Sequence, residues 1–252
     1  MAALLQVHNR SITAEEIIPL LTSYQMLPRL LVEIVIDQAI ASITCTSEEI
    51  ANNYQLFCEK NQITSETDRK AWLERYRMTA EQLEALAIRG LKIEKFKQAN
   101  WGHKLESYFL SCKSQLDKVT YSLIRTKDMG VAQELYFRIQ EEEQSFAELA
   151  REYSQGSESQ SGGIIGPVEL SIVHPTLAKM LTVSQPGQLW PPMPLREWVV
   201  LVRLEKFISA QLDNSMSQRL LNELFADWLQ VQLNQLSDPA LPTQTNKRSV
   251  SR

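Results

Sequence analysis

Residues 146–166, FAELAREYSQGSESQSGGIIG, constrain the fold more than any other part of the sequence. The first part of this segment carries apolar side chains at helical spacing, and Ser145 with Glu148 can form a capping box where the helix begins. A polar loop follows and ends at the pair Gly162 and Gly163, and glycine is the default where a backbone adopts positive φ or approaches another closely. The segment therefore predicts a short amphipathic helix ending near Tyr153, a shaped loop, and a strand opening at the glycine pair.

The flanking segments predict further strands and helices. Residues 119–124, VTYSLI, have the β-branched and aromatic content of a strand, and residues 130–140 form an amphipathic helical pattern. Residues 175–181 indicate a short helix, 185–188 a turn, and 198–204, WVVLVRL, a buried strand.

This order of residues resembles the parvulin-type peptidyl-prolyl isomerases, in which a helix of the type F-x-x-L-A-x-x-Y-S leads through a loop to G-G-x-x-G. The matching residues are Phe146, Leu149, Ala150, Tyr153, Ser154, Gly162, Gly163 and Gly166. The resemblance covers residues 119–207. It implies an α+β fold, with a four-stranded antiparallel sheet and helices packed around it.

The segments on either side are predicted to be helical. Four S/T-x-x-acceptor patterns, beginning at Thr13, Thr46, Ser65 and Thr79, are typical of capping boxes, and their acidic pairs favour helix first turns rather than acid–base chemistry. A wide apolar stripe over residues 212–229 predicts a C-terminal helix that needs a partner surface, for which the N-terminal helices are the nearest candidate.

These patterns divide the chain into four parts. We expect an N-terminal helical domain over 1–115, a parvulin-like domain over 116–208, a C-terminal helix over 209–236 packing on the N-terminal helices, and a disordered tail over 237–252. The insertion of the parvulin-like domain between helical segments resembles the layout of the SurA and PrsA chaperones. VTYSLIR, ELYFRI and GPVEL also resemble cytoplasmic parvulin-like proteins of cyanobacterial peptide-export systems.

The resemblance implies a proline pocket just after the G-G-x-x-G strand. Its positions fall on Val173 and Leu177, with Trp190 nearby, and both pocket side chains are apolar but smaller than those of the family. A second interpretation is equally compatible with these residues, namely that Val173 and Leu177 belong to the core beneath the short helix.

The polar centre departs further from the family, which has a histidine on each of two central strands and a Cys, Asp or Ser in the loop. The corresponding positions here are Ser122, Val199 and Gly156, and a shift of one residue on the closing strand gives Val200. Ser154 and Ser157 flank the loop position and offer hydroxyl groups. The family's paired histidines are absent, so we expect weak catalysis at most.

Composition and residue spacing bear on the binding partners, the compartment, and the presence of a metal or cofactor. A net charge of −4 argues against nucleic acid as a partner, and the absence of a leader-like or membrane-spanning segment predicts a cytoplasmic protein. The three cysteines are widely spaced, as expected for reduced thiols, and His8, His103 and His174 show no metal-ligand spacing. We therefore expect neither a metal nor a cofactor.

Two functions follow as hypotheses. The first is a parvulin-type isomerase acting on proline-containing peptides or on unfolded or precursor polypeptides. The alternative is a non-catalytic chaperone or export adaptor that binds peptides on the same scaffold. Under either hypothesis, a peptide-export system is a candidate partner. A domain that serves only as a structural spacer is a third interpretation, and it predicts no peptide binding.

Overall fold

The computed structural model describes residues 5–8 and 10–236, which form two compact units. The helical unit comprises the described residues up to Leu105 together with those from Ser217 onward, and the sheet unit spans Glu106–Met216. Residues 237–252, predicted to be a disordered tail, lie outside the described residues.

The helical unit begins with a short antiparallel hairpin and continues as helices. Its strands are β1 (Leu5–Val7) and β2 (Arg10–Ile12), and its first five helices are α1 (Ala14–Ser23), α2 (Leu27–Ile40), α3 (Ser47–Lys60), α4 (Glu66–Tyr76) and α5 (Ala80–Trp101). Helix α10 (Asn214–Leu236) follows the sheet unit, and its residues from Ser217 onward also belong to the helical unit. All four predicted capping boxes form. At Thr46, for example, the backbone N–H donates to Glu49 Oε2 at 2.7 Å, and the Glu49 N–H donates to Thr46 Oγ1 at 3.2 Å. The hairpin was not predicted.

Within the helical unit, α10 packs on α5 through aromatic side chains. The rings involved belong to Phe96, Trp101, Phe225 and Trp228, with centroid separations from 5.1 to 6.3 Å. Lys97 is buried beside them, and its Nζ donates to Asn222 Oδ1 at 2.6 Å and to Glu94 Oε1 at 2.7 Å. The apolar stripe of α10 is therefore covered by a helix distant in sequence.

The sheet unit has the predicted α+β architecture, which is confirmed. After α6 (Leu105–Leu116), the chain forms β3 (Lys118–Thr126), α7 (Met129–Gln140), α8 (Phe146–Tyr153), β4 (Ile164–Glu169), α9 (Pro175–Val183), β5 (Leu189–Leu195) and β6 (Trp198–Ile208). The four strands form an antiparallel sheet in the order β4-β3-β6-β5. Strand β5 contains three prolines and was not predicted as a strand. It lies at the edge of the sheet, where an N–H that points away from the neighbouring strand forms no ladder hydrogen bond and proline is tolerated.

Helices cover both faces of this sheet. On the α9 face, Tyr121 and Leu123 of β3 pack with Val200 and Val202 of β6 against Leu177. On the opposite face, here named the α7–α8 face, the core contains Ile124, Leu201, Leu135, Ile139, Phe146, Leu149 and Ala150. Alternate residues of β3 and β6 thus face different helices.

The predicted glycine pair fastens the loop after α8 to strand β3. Gly163 has φ of +85°, and a Cβ added there would lie 2.9 Å from the carbonyl oxygen of Leu123. The N–H of Leu123 donates to the Gly163 carbonyl at 2.9 Å. Both the positive φ and the close backbone approach require glycine at this position.

Candidate functional site

An ion pair between Arg125, which is partly exposed, and Glu158, which is buried, forms the polar centre of the sheet unit. Arg125 on β3 donates from Nε to Glu158 Oε1 at 2.8 Å and from Nη2 to Glu158 Oε2. Ser154, at the end of α8, donates from Oγ to Glu158 Oε1 at 2.6 Å and accepts the Arg125 N–H at 3.1 Å. Only 4% of Glu158 is exposed. The two parallel N–H···O bonds make this a bidentate pair, which is the strong form of an arginine–carboxylate interaction.

Both members of this pair are held in their charged forms. Burial by itself raises the pKa of Glu158, but the hydrogen bonds from Arg125 and Ser154 outweigh it and keep the pKa below its usual range. The hydrogen bond to Glu158 in turn raises the pKa of Arg125. The pair therefore supplies fixed charges rather than a proton at neutral pH.

The ion pair occupies the space that a side chain at position 156 would need. A Cβ added to Gly156 would lie 2.2 Å from Arg125 Nε and 2.3 Å from Glu158 Oε2. Gly156 has φ of −113°, which any residue can adopt, so the constraint is steric rather than conformational. The loop position at which the family carries Cys, Asp or Ser is therefore closed here by Arg125 and Glu158.

The structure does not bring Ser122, Gly156 and Val199 together. Ser122 points to the α7–α8 face, where its Oγ donates to Glu205 Oε1 at 2.5 Å. It lies opposite Arg203 in the ladder, whereas Val199 lies opposite Thr126 at the other end of β3. By strand alternation Val199 shares the face of Leu201, which also belongs to the α7–α8 core. Ser122 and Val199 thus face away from the core that packs under α9.

Their neighbours Tyr121 and Val200 occupy the α9 face instead. Val200 lies directly opposite Arg125, and Tyr121 is two residues from Leu123 on the same face. Tyr121 is 7% exposed, and burial raises the pKa of its hydroxyl. Sequence reasoning did not select Tyr121, Arg125 or Glu158. The available signal was that residues 121, 123 and 125 must share one face of a strand.

Of the three residues predicted to bind substrate, two are buried. Val173 and Leu177 are 7% and 3% exposed and belong to the core under α9. Trp190 on β5 is half-buried, lies opposite Val202, and donates from Nε1 to Ser184 Oγ at 2.7 Å. The positions of Val173 and Leu177 match the second interpretation of the sequence, in which they are core residues. Trp190 is the member of this set with substantial accessible surface.

Histidine chemistry is not available at the polar centre. His174 is the one histidine in the sequence of the sheet unit, and its Nδ1 accepts the Thr176 N–H at 3.3 Å as the N-cap of α9. Among the described residues, no three His, Cys, Asp or Glu side chains are arranged to hold a metal ion. Nor does this part of the chain contain a helix both long and apolar enough to span a bilayer.

Comparison with known families places a domain on this part of the chain. Residues 125–206 match a PPIC-type PPIase domain, the rotamase family. The matched segment begins at Arg125 and contains Glu158, α9, and strands β4 to β6 up to Lys206. No curated protein matches the sequence.

Solved structures of peptidylprolyl isomerases and related chaperones also resemble the chain. PrsA from Bacillus cereus is 17% identical over 97% of this chain and 95% of its own, with a TM-score of 0.48. The parvulin domain of PpiD from E. coli is 26% identical over 40% of this chain and 97% of its own, with a TM-score of 0.34. A structure from a study of SurA-like chaperones in Campylobacter jejuni is 14% identical, over 94% of this chain and 95% of its own, with a TM-score of 0.38. With TM-scores below 0.5, these similarities add nothing to the domain match and the sheet topology.

Proposed function

We propose that the chain binds proline-containing segments of unfolded or precursor polypeptides on the α9 side of its sheet unit and isomerises them weakly. The observation that carries this proposal is the match of residues 125–206 to the PPIC-type PPIase domain. It is supported by a polar centre and an accessible tryptophan on the same side of the sheet, at Arg125 and Trp190.

Amide resonance sets a barrier of about 18–20 kcal/mol to rotation about a peptide C–N bond. To catalyse prolyl isomerisation, a protein needs only to lower this rotational barrier. No proton needs to be transferred, so fixed charges and an apolar contact suffice. The Arg125 side chain is 31% exposed, and its Nε and Nη2 donate hydrogen bonds to Glu158. Its remaining nitrogen, Nη1, can therefore donate to a peptide carbonyl. The ring of Trp190 offers the apolar contact for proline.

A non-catalytic peptide-binding chaperone or export adaptor is the second candidate, and one observation favours it. The polar centre contains no imidazole, and the ion pair closes the loop position at Gly156. A site with these features can hold a peptide through apolar and charged contacts without favouring the twisted amide over the planar one.

The compartment and the export partner belong to the proposal as well. We propose a cytoplasmic protein that delivers its peptides to an export system, on the basis of the sequence resemblance described above. Cell fractionation with antibodies tests the compartment, and in-cell crosslinking followed by mass spectrometry tests the partner. Recovery in an envelope or extracellular fraction would contradict the cytoplasmic assignment.

NMR exchange spectroscopy on an Ala-Pro-containing peptide tests the catalytic proposal directly. We expect cis–trans exchange to rise with protein concentration and to fall by roughly tenfold in Trp190→Ala, equivalent to losing about 1.4 kcal/mol of transition-state stabilisation. Phe137→Ala is the matched control, because Phe137 is an aromatic residue on α7 that is 58% exposed.

The other outcomes separate the candidates. Peptide line broadening that depends on Trp190, without faster exchange, would reject catalysis for that peptide and support the chaperone. A result with neither line broadening nor faster exchange would support the spacer interpretation. Equal effects of the two substitutions would show that binding does not occur at Trp190.

A further inference from the structure

A cleft in the helical unit belongs to neither proposed role of the sheet unit. It has a volume of about 660 Å³ and lies between the end of α2, the α4–α5 turn and the first half of α5. Apolar side chains form much of its lining, among them Ile40, Met78 and Leu86. Tyr76 at its edge is 50% exposed and Leu86 is 37% exposed. Apolar surface is therefore available to a ligand here.

The charges around this cleft are predominantly positive. Arg77, Arg89 and Lys92 line it, whereas Asp37 is its one acidic lining residue. Arg89 is neutralised, because it pairs with Asp37 at 2.7 Å and with Glu33 at 2.8 Å. Neither Arg77 nor Lys92 forms a salt bridge with any residue that the structure describes. Two uncompensated cations thus flank an apolar surface in a protein whose net charge is −4.

The backbone of the α4–α5 turn does not explain the arginine at position 77. Arg77 caps the C-terminus of α4 with φ of 52° and ψ of 42°, in the left-handed region. Glycine adopts this conformation without the penalty paid by a residue with a Cβ, and it is the common residue at such helix ends. Local stability favours glycine at position 77, whereas the arginine found there lines the cleft with its guanidinium group.

We propose that this cleft binds an acidic segment of a partner polypeptide, with an aliphatic side chain on the apolar lining and flanking carboxylates beside Arg77 and Lys92. Charge complementarity carries the choice of partner, since a cationic rim attracts acidic chains and disfavours basic ones. A proline is not required, because the cleft offers an apolar surface and two cations rather than a ring-shaped pocket. The cleft lies in the helical unit, and peptide binding there does not depend on isomerisation in the sheet unit.

Fluorescence anisotropy with three labelled, proline-free 12-residue peptides tests the proposal on the full chain. The first peptide contains Leu and Glu, and in the other two each Glu is replaced by Gln or by Lys. We expect the Glu peptide to bind tightest and the Lys peptide weakest. Raising the salt concentration from 50 to 500 mM should weaken the Glu peptide most, because exposed charges are screened by salt.

Three variants locate the site. Arg77→Gly and Lys92→Gln should each weaken the Glu peptide about two- to fivefold, the range expected for exposed ion pairs, and should leave the Gln peptide nearly unchanged. Lys70→Gln is the matched control, because Lys70 is an exposed residue of α4 that does not line the cleft. Arg77→Gly relieves the left-handed conformation, so its melting temperature should not fall and lost binding cannot be attributed to unfolding.

Several results would overturn the proposal. Equal affinity for the Glu and Lys peptides would reject charge recognition, and equal loss in Lys70→Gln would reject this location. Concentration-dependent self-association that Arg77→Gly abolishes, without peptide binding, would assign the cleft to a second copy of the chain. Loss of Glu-peptide binding in Trp190→Ala would place binding in the sheet unit. Failure of the isomerase assay leaves these readouts unaffected.

Discussion

At the scale of single residues, Glu158 has the largest consequence for the candidate site. A buried carboxylate is costly unless it is paired and hydrogen-bonded, and Arg125 and Ser154 together provide that compensation. The carboxylate fixes the guanidinium of Arg125, and it also ties the loop between α8 and β4 to the end of α8, since Ser154 Oγ donates to Glu158 Oε1 at 2.6 Å. One side chain therefore controls both the charge and the shape of the polar centre.

Replacing Glu158 with glutamine tests this role through pH. We expect Glu158→Gln to lower the free energy of unfolding of the sheet unit by about 2 kcal/mol at pH 7, because a charge-assisted hydrogen bond pair is lost. The folded pKa of Glu158 is lowered, so its stabilisation is complete above the pKa of the unfolded carboxyl, about 4.3, and is lost as the pH falls through the folded pKa. The difference between wild type and variant should therefore shrink below pH 4.

Hydrogen exchange over residues 118–126 and 154–166 measures this difference. Glu134→Gln is the control, because Glu134 forms an exposed salt bridge with Arg138 within α7 and should cost well under 1 kcal/mol. A pH-independent difference between wild type and Glu158→Gln would show that the ionised carboxylate is not what stabilises the loop.

At the scale of elements, the same substitution should have opposite signs in a helix and in the site loop. Gly90 lies in α5 with no atom within 4 Å of an added Cβ, so Gly90→Ala should stabilise the helical unit by about 0.5–1 kcal/mol. Gly156→Ala would force a methyl group into the Arg125–Glu158 pair and should destabilise the sheet unit by about 1–3 kcal/mol. Urea unfolding of both variants checks the pair of signs, and a stabilising Gly156→Ala would contradict the packing described here.

Elements also show what the sequence could predict. Helices such as α8 carry their own caps and spacing, and their starts were predicted because those signals are local. The faces of β3 and β6 were harder, because both faces of these strands are buried and hydrophobicity does not alternate along them. A register shift between Thr120 and Tyr121 further obscures the face of Ser122. The Arg125–Glu158 pair joins residues 33 positions apart, and no local pattern reports such a contact.

At the scale of the whole molecule, the helical unit is assembled from two stretches of chain separated by the sheet unit. Trp228 on α10 packs against Phe96 and Trp101 of α5, so the later stretch completes the core of the earlier one. We expect Trp228→Ala to destabilise the helical unit by about 3 kcal/mol through a cavity at this contact.

Hydrogen exchange mass spectrometry checks this expectation in one experiment. Exchange should accelerate over residues 80–101 and 217–236 and stay unchanged over residues 118–126, which belong to a core of their own. Tyr76→Ala is the control, since Tyr76 is half exposed on α4 and does not contact α10 aromatics. Faster exchange over residues 118–126 in Trp228→Ala would show that the two units unfold together.

The discontinuous helical unit also sets an order of events during synthesis. When the ribosome has made the chain as far as residue 105, Phe96 and Trp101 have no α10 to cover them, and the covering residues are added only after the entire sheet unit has been translated. The sheet unit can therefore fold on the nascent chain before the unit that precedes it is complete. Until α10 emerges, the exposed aromatic face of α5 is a surface that other nascent chains or chaperones can contact.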